Sequence, residues 1–259
     1  MKRLKPFWRY YGGKNRASVL YPAPQWDSDI VIEPFAGAAG YSCRHWHKQV
    51  VLVDRSPIIA GVWRYLINVG EYEVRCIPDI PEGGTVDDLP SWVPQEARWL
   101  VGFWCNSGSV YPGKSPAARA RNDGQNARSW SGWGWKVRRR ICLQLDQIRH
   151  WQIIEGEYYE APNKRATWFI DPPYNNRAGA RYPHQVDSYS ALADWCRTRK
   201  GLVMVCENEG AGWLPFRKLA TIKAQEGKHG RRESREVIWT NRQLSMGYGG
   251  QVLLPWGAA

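Results

Sequence analysis

Thr167-Trp168-Phe169-Ile170-Asp171-Pro172-Pro173-Tyr174 is a β-favouring run that ends at an acidic residue, where two prolines stop the sheet ladder and an aromatic follows in a rigid turn. It predicts a strand whose carboxyl edge presents a carboxylate and a ring. Similar strand-then-turn stretches flank it. Asp29-Ile30-Val31-Ile32-Glu33 reads as a buried strand running into Pro34-Phe35-Ala36-Gly37-Ala38-Ala39-Gly40, and Val50-Val51-Leu52-Val53 as a second that ends at Asp54. Trp151-Gln152-Ile153-Ile154, Leu202-Val203-Met204-Val205-Cys206 and Glu236-Val237-Ile238-Trp239-Thr240 add three more. Helical spacing appears between them, at Ile59, Val62, Trp63 and Leu66, at Ala97, Leu100, Val101 and Trp104, and at Asp187, Tyr189, Leu192 and Trp195. Strands alternating with helices predict an α/β fold.

The Asp-Pro-Pro-Tyr corner suits methylation of an exocyclic amine. The lone pair of an aromatic amine is delocalised into its ring, so a site needs acceptors that bind the amino hydrogens and turn the lone pair outward. Asp171 offers a carboxylate, and Pro172, held by Pro173, offers a carbonyl. Tyr174 would stack on the face of a base taken out of a duplex. The plainer alternative is a strand followed by a Pro-rich turn with a solvated aspartate.

Other turns carry candidate ligand contacts. In Tyr10-Tyr11-Gly12-Gly13-Lys14, paired glycines let the backbone approach a ligand and Lys14 brings a charge to the same place; an ordinary turn with a surface lysine would look the same. Glu33 and the small-residue turn from Pro34 to Gly40, with a helix expected after it, predict the start of a nucleotide-binding unit whose turn amides and helix N-terminus meet the ligand. It is not the dinucleotide Gly-x-Gly-x-x-Gly pattern. Asp54, ending a second strand, is placed to accept hydrogen bonds from ribose hydroxyls; its alternative role is a helix cap, for which Ser56 before Pro57 would serve as well. Glu157-Tyr158, after the strand at 151–154, suits contact with an adenine ring.

At 259 residues the chain can bury a substantial core and hold one α/β domain with an inserted lobe. A net charge of +12 favours a polyanionic partner. The six cysteines form no C-x-x-C pair and no Cys/His ligand spacing, so neither disulfides nor a metal site is expected, as in a cytoplasmic protein. No stretch has signal-peptide character or the length of a transmembrane helix, which predicts a soluble protein with no membrane partner.

From Glu71 the composition changes. Prolines and glycines punctuate 78–94, and between Ser109 and Arg149 nine Lys and Arg residues face two Asp. Arg119, Arg121, Arg128, Lys136, Arg138 and Arg139, interleaved with Trp130, Trp133 and Trp135, fit contact with phosphates and bases. The alternative for Arg138 to Arg140 is a solvated helix face, since Val137, Ile141, Leu145 and Ile148 bury the other side. Lys228, Arg231 and Arg232 sit in a basic loop that could grip a backbone.

The order of these motifs resembles that of the Dam-type DNA adenine-N6 methyltransferases, in which a cofactor motif precedes a target-recognition insert and the catalytic motif follows it. Tyr10 to Lys14 is similar to the family's N-terminal aromatic-x-Gly-x-Lys motif, Glu33 to Gly40 to its Phe-x-Gly loop, and Asp54 to its ribose-binding acid. Gly156-Glu157-Tyr158 resembles its Gly-Asp-Phe, Asp171-Pro172-Pro173-Tyr174 matches its catalytic tetrapeptide, and Glu236 to Asn241 is similar to its late strand.

The resemblance implies S-adenosylmethionine as donor and a Rossmann-like, mostly parallel sheet formed by residues 1–71 and 150–259, with residues 72–149 as an inserted recognition lobe. It implies a cofactor site made by Tyr10, Lys14, Glu33, Pro34, Phe35, Ala36, Gly37, Ala38, Asp54, Glu157, Tyr158 and Asp171. The reaction implied is direct in-line transfer to the N6 of a flipped adenine, catalysed by Asp171, Pro172, Pro173 and Tyr174. Double-stranded DNA is the implied partner, for a monomer or weak homodimer in the cytoplasm of a bacterium or phage-infected host. Two departures stand out. Ala39 replaces a second glycine of the cofactor loop, which predicts weaker donor affinity. The insert between Asn106 and Gly134 lacks the family's Arg-x-Asn-like hairpin, which predicts relaxed sequence specificity. Methylation of RNA adenines or of cytosine N4, or a nucleic-acid-binding module without catalysis, are the competing expectations.

Overall fold

The computed structural model describes residues 3–106, 108–117, 132–223, 233–242, 245–246 and 252–253. Apolar runs make the strands β1 (Ile30–Glu33), β2 (Gln49–Asp54), β3 (Gln152–Glu155), β4 (Ala166–Ile170) and β5 (Gly201–Asn208). These pair in parallel. β6 (Arg217–Lys223) and β7 (Glu233–Thr240) complete a seven-stranded sheet of order β3-β2-β1-β4-β5-β7-β6, in which β7 runs antiparallel to both neighbours. The parallel part has the strand order of a Rossmann-like sheet. β8 (Ser245–Met246) and β9 (Val252–Leu253) form a separate small ladder.

Successive strand residues point to opposite faces of a sheet. Val31, Leu52 and Phe169 accordingly enter one hydrophobic cluster while Ile32, Val51, Val53, Trp168 and Ile170 enter another. A strand buried on both sides must be apolar throughout, which is why β4 reads as Ala-Thr-Trp-Phe-Ile with every residue buried. On the first face lie α1 (Pro57–Asn68), α2 (Glu71–Cys76), α3 (Gln95–Cys105) and α4 (Trp135–Cys142); on the second lies α5 (Tyr189–Arg197). Trp8, Trp63, Trp104 and Trp168 are among the largest fully buried side chains, so much of the tryptophan content fills the interior. The described part of 72–149 shares the first cluster with α1 and the sheet through Val74, Leu100, Trp104 and Val137.

Three local features differ from expectation. No helix follows the turn at Gly37. Ala39 takes φ 45°, a left-handed conformation that breaks a helical path at its start, and Tyr41 to Lys48 close instead as separate hydrogen-bonded turns. The amphipathic helix expected through Ile148 stops at Cys142 and resumes as a 3-10 turn over Leu145–Ile148. β6 has no counterpart among the expected strands: its pattern is too polar to stand out, and it forms as the sheet edge against β7.

Candidate active site

β1 sits between β2 and β4, so the carboxyl ends of these strands open onto one crevice at the point where the strand order reverses. That crevice is a cleft whose empty space, open solvent at its mouth included, is about 920 Å³. Its walls include all twelve residues expected to hold a donor, from Tyr10 and Lys14 through Glu33 to Ala38, Asp54, Glu157, Tyr158 and Asp171. Pro173 also lines it. Pro172 is buried beneath, and Tyr174 lies half-buried behind Lys14.

Asp54 organises the floor. Its carboxylate accepts the Gly37 amide at 2.9 Å and the Ser56 amide at 2.9 Å, bolting the small-residue turn to the end of β2. Ser56, not Asp54, caps α1, its hydroxyl accepting the Ile59 amide at 3.5 Å. Each carboxylate oxygen of Asp54 keeps a second lone pair for a ligand. Burial pushes its carboxyl up to about 6 against the two amides.

Glu33, also buried, accepts the Ser42 amide at 2.6 Å and thus ties down the turns that stand where a helix was expected. Burial raises its carboxyl to about 8, opposed by the Ser42 amide. Gly40 is where the N-terminal segment crosses: a Cβ there would lie 2.6 Å from the Asn15 nitrogen and 2.8 Å from the Lys14 carbonyl carbon. Only glycine permits that approach, and it brings Lys14 into the crevice.

The charged centre lies beside Asp171. The Lys14 ammonium is 3.0 Å from Asp171 Oδ1 and 3.9 Å from Glu236 Oε2, and stands 4.7 Å from the centre of the Tyr174 ring. The ammonium donates to the Gly12 carbonyl at 3.3 Å. Asp171 Oδ1 is buried against Lys14, which compensates its charge. Burial raises the Asp171 carboxyl; Lys14 opposes this and Glu236 adds to it. Burial also works against the charge on Lys14, but Asp171 and Glu236 outweigh it and hold the ammonium above the ordinary lysine range.

The segment after the tetrapeptide is fixed from several sides. Tyr189 donates its hydroxyl to the Pro173 carbonyl at 2.6 Å, and the Asn175 amide donates to buried Glu207 at 2.8 Å. Further on, Tyr182 to Asp187 line the cavity, with the Tyr182 hydroxyl donating to the Tyr11 carbonyl at 2.9 Å. Arg55 reaches Glu157 at 2.8 Å and Asp187 at 3.8 Å. Neither Arg55 nor the 182–187 segment stands out in the sequence, because each is recruited by folding rather than by a local pattern. Phe35 and Tyr158 stack on each other with ring centres 5.5 Å apart and make an aromatic wall.

The expected nucleic-acid residues divide. Arg119, Arg121, Arg128, Trp130, Lys228, Arg231 and Arg232 lie outside the described residues. Trp133 is a correction: it is 4% exposed and its indole N–H donates to the Pro78 carbonyl at 3.1 Å, so it packs the core instead of offering a stacking face. Arg138 is mostly buried and pairs with Asp79. Trp135, at 60% exposure, and Arg139 face outward, with the Lys136 ammonium 5.7 Å from the centre of the Trp135 ring.

Among the described residues no cluster of His, Cys, Asp and Glu could hold a metal ion, and no helix is long and apolar enough to cross a membrane. No family model and no curated protein matches the sequence. Among solved structures, a conserved hypothetical protein of Streptococcus pyogenes aligns with 81% of this chain and 84% of its own at 9% identity, with a TM-score of 0.28.

Proposed function

We propose that this protein transfers a methyl group from S-adenosylmethionine to the N6 amino group of adenine in DNA. The observation that carries this is that Asp171, at the corner after β4 and charge-compensated by Lys14, lines the same cavity as Asp54 and the Gly37 turn. A carboxylate held in a partly desolvated site accepts hydrogen bonds from a ligand amine more strongly than one in water.

The cavity chemistry fits a cationic donor. Lys14 and Arg55 line it together with Asp54, Glu157, Asp171 and Asp187, more carboxylates than cations within a strongly basic chain. When bound, S-adenosylmethionine supplies an electrophilic methyl group on a sulfonium. Asp54 would take the ribose hydroxyls through its remaining lone pairs, and Tyr158 and Phe35 would flank the donor's adenine.

For the target base, the Asp171 carboxylate accepts a hydrogen bond from one amino N–H and the Pro172 carbonyl from the other. The lone pair then turns toward the methyl group, and both acceptors stabilise the positive charge growing on nitrogen as its bond to carbon forms and the carbon–sulfur bond breaks. The demethylated donor leaves as a neutral thioether, and the extra proton on nitrogen passes by way of the Asp171 carboxylate to solvent. Tyr174 would stack on the face of the base. DNA is held by the exposed side of α4 around Trp135, Lys136 and Arg139 and by the basic segments, through phosphate contacts that carry no sequence information of their own; relaxed sequence specificity follows.

The test is transfer of labelled methyl from S-adenosylmethionine to unmethylated DNA, to RNA and to a control without nucleic acid, followed by nucleoside analysis. Label in N6-methyladenine from DNA supports the proposal. Label only in RNA or in N4-methylcytosine redirects it, and absence of both label and donor binding overturns it.

A further inference from the structure

Glu236 is a buried acid on β7, 5% exposed, that does not itself line the cavity. Its Oε2 accepts the Tyr174 hydroxyl at 2.8 Å and lies 3.5 Å from the Tyr21 hydroxyl; its Oε1 accepts the Ser234 hydroxyl at 2.7 Å. The Lys14 ammonium stands 3.9 Å away, on the side that leads to Asp171. Glu236 therefore touches both groups that flank Asp171 without touching Asp171 by hydrogen bond.

This contact geometry has two effects. A tyrosine ring anchored at its hydroxyl, the end farthest from its backbone, cannot swing about its first side-chain torsion, so the ring stays beside the acceptor. A lysine ammonium between two carboxylates is drawn toward both. The Gly12 carbonyl accepts from it at 3.3 Å, and Lys14 is thus held with its ammonium 3.0 Å from Asp171 Oδ1 and 3.9 Å from Glu236 Oε2. Without Glu236 the ammonium would be drawn toward Asp171 alone, which changes the charge that the acceptor presents to an amine.

We infer that Glu236 is a positioning residue for methyl transfer, tethering the Tyr174 hydroxyl and sharing the Lys14 ammonium with Asp171. The inference rests on the methyl-transfer proposal above. It assigns no bond-making step to Glu236, which acts only through Tyr174 and Lys14.

The test is single-turnover methyl transfer to DNA between pH 5 and 9 by the wild type, Glu236→Gln, Tyr174→Phe and the double variant, with donor affinity measured by calorimetry. Glu236→Gln should slow transfer by about tenfold or more while donor affinity stays within about twofold, because the donor's contacts are elsewhere. The double variant should be no slower than the slower single variant, as expected of residues acting through one contact.

The pH profile separates positioning from a general loss of structure. Asp171 is faced by Lys14 from the N-terminal segment, Glu236 from β7, Cys206 from β5, Glu33 from β1 and the hydroxyls of Tyr21, Tyr174 and Tyr182. Removing the Glu236 charge takes away a neighbour that raises the Asp171 carboxyl, so the acid limb of the rate profile should move to lower pH.

An unchanged rate overturns the inference. So does an equal loss at every pH with the limb in place, or a double variant that loses the product of the two single losses. If Glu236→Gln does not fold, Tyr174→Phe tests the same tether from its other end, and a wild-type rate there overturns it. A wild type that methylates no nucleic acid defeats the methyl-transfer proposal itself, and this inference with it.

Discussion

The Lys14 ammonium lies 3.0 Å from Asp171 Oδ1, an oxygen buried against it, while Asp171 itself lines the cavity. Charge compensation and a place at the cavity wall thus coexist on one carboxylate. A buried carboxylate without a cation is pushed toward its protonated form and becomes a poorer acceptor, and Lys14 opposes that.

Asp171→Ala should abolish methyl transfer and leave the fold intact, a loss of about a hundredfold or more by analogy with removal of one preorganised electrostatic contact. Circular dichroism and labelled transfer check it. A soluble variant with near-normal activity would remove Asp171 from the chemistry.

Lys14→Met should shift the pH dependence in a known direction. Lys14 lowers the Asp171 carboxyl that burial raises, so its removal moves that carboxyl further up and the acid limb of the rate profile to higher pH. Activity lost near neutrality should return in part at alkaline pH. Recovery in the opposite direction would contradict the assigned pairing.

Glu33 should make stability fall as pH rises. Its carboxyl is held at about 8 in the folded chain, against about 4.3 when unfolded. Between those values the folded state keeps the extra proton, so stability declines by at most about 1.4 kcal/mol per pH unit as pH climbs through the window. Asp54, held at about 6, adds a slope of the same sign over a narrower range. Glu33→Gln should flatten the curve measured by denaturant unfolding from pH 5 to 9.

Gly40→Ala should disturb the crevice by displacing the Lys14–Asn15 backbone. Both nearest atoms are main chain and cannot swing aside, so a cost of about 1–3 kcal/mol is expected from overpacking. Thermal unfolding together with donor calorimetry would reveal it as lower stability accompanied by weaker donor binding.

Trp133→Ala and Trp135→Ala should separate cleanly. The first empties a buried site and should cost about 3–5 kcal/mol of stability. The second truncates an exposed ring, should change stability by less than about 0.5 kcal/mol, and should weaken DNA binding by about 1–3 kcal/mol if the ring stacks on a base. Denaturant titration and DNA-binding isotherms at fixed salt measure the two effects.

The sequence by itself determined the parallel strands, the acids that end them and the turn residues that line the cavity. These follow from local quantities: continuous apolar runs, the stop imposed by Pro172 and Pro173, and the small residues of the turn from Pro34 to Gly40. Ser56 before Pro57 likewise announced the start of α1.

Only the tertiary structure decided which distant groups meet. Lys14, Asp171 and Glu236 come from three widely separated segments and converge because β4 lies next to β5 and β5 next to β7. It decided that Trp133 points inward while Trp135 points outward, two positions apart on a chain whose composition favours neither. It replaced the helix expected after Gly37 with turns, since Ala39 adopts a left-handed conformation and Glu33 captures the Ser42 amide. It also formed β6, whose polar sequence becomes a strand because β7 offers an edge to pair with. Local preference fixes what each segment can become; pairing, burial and charge across the fold fix which of those states is realised.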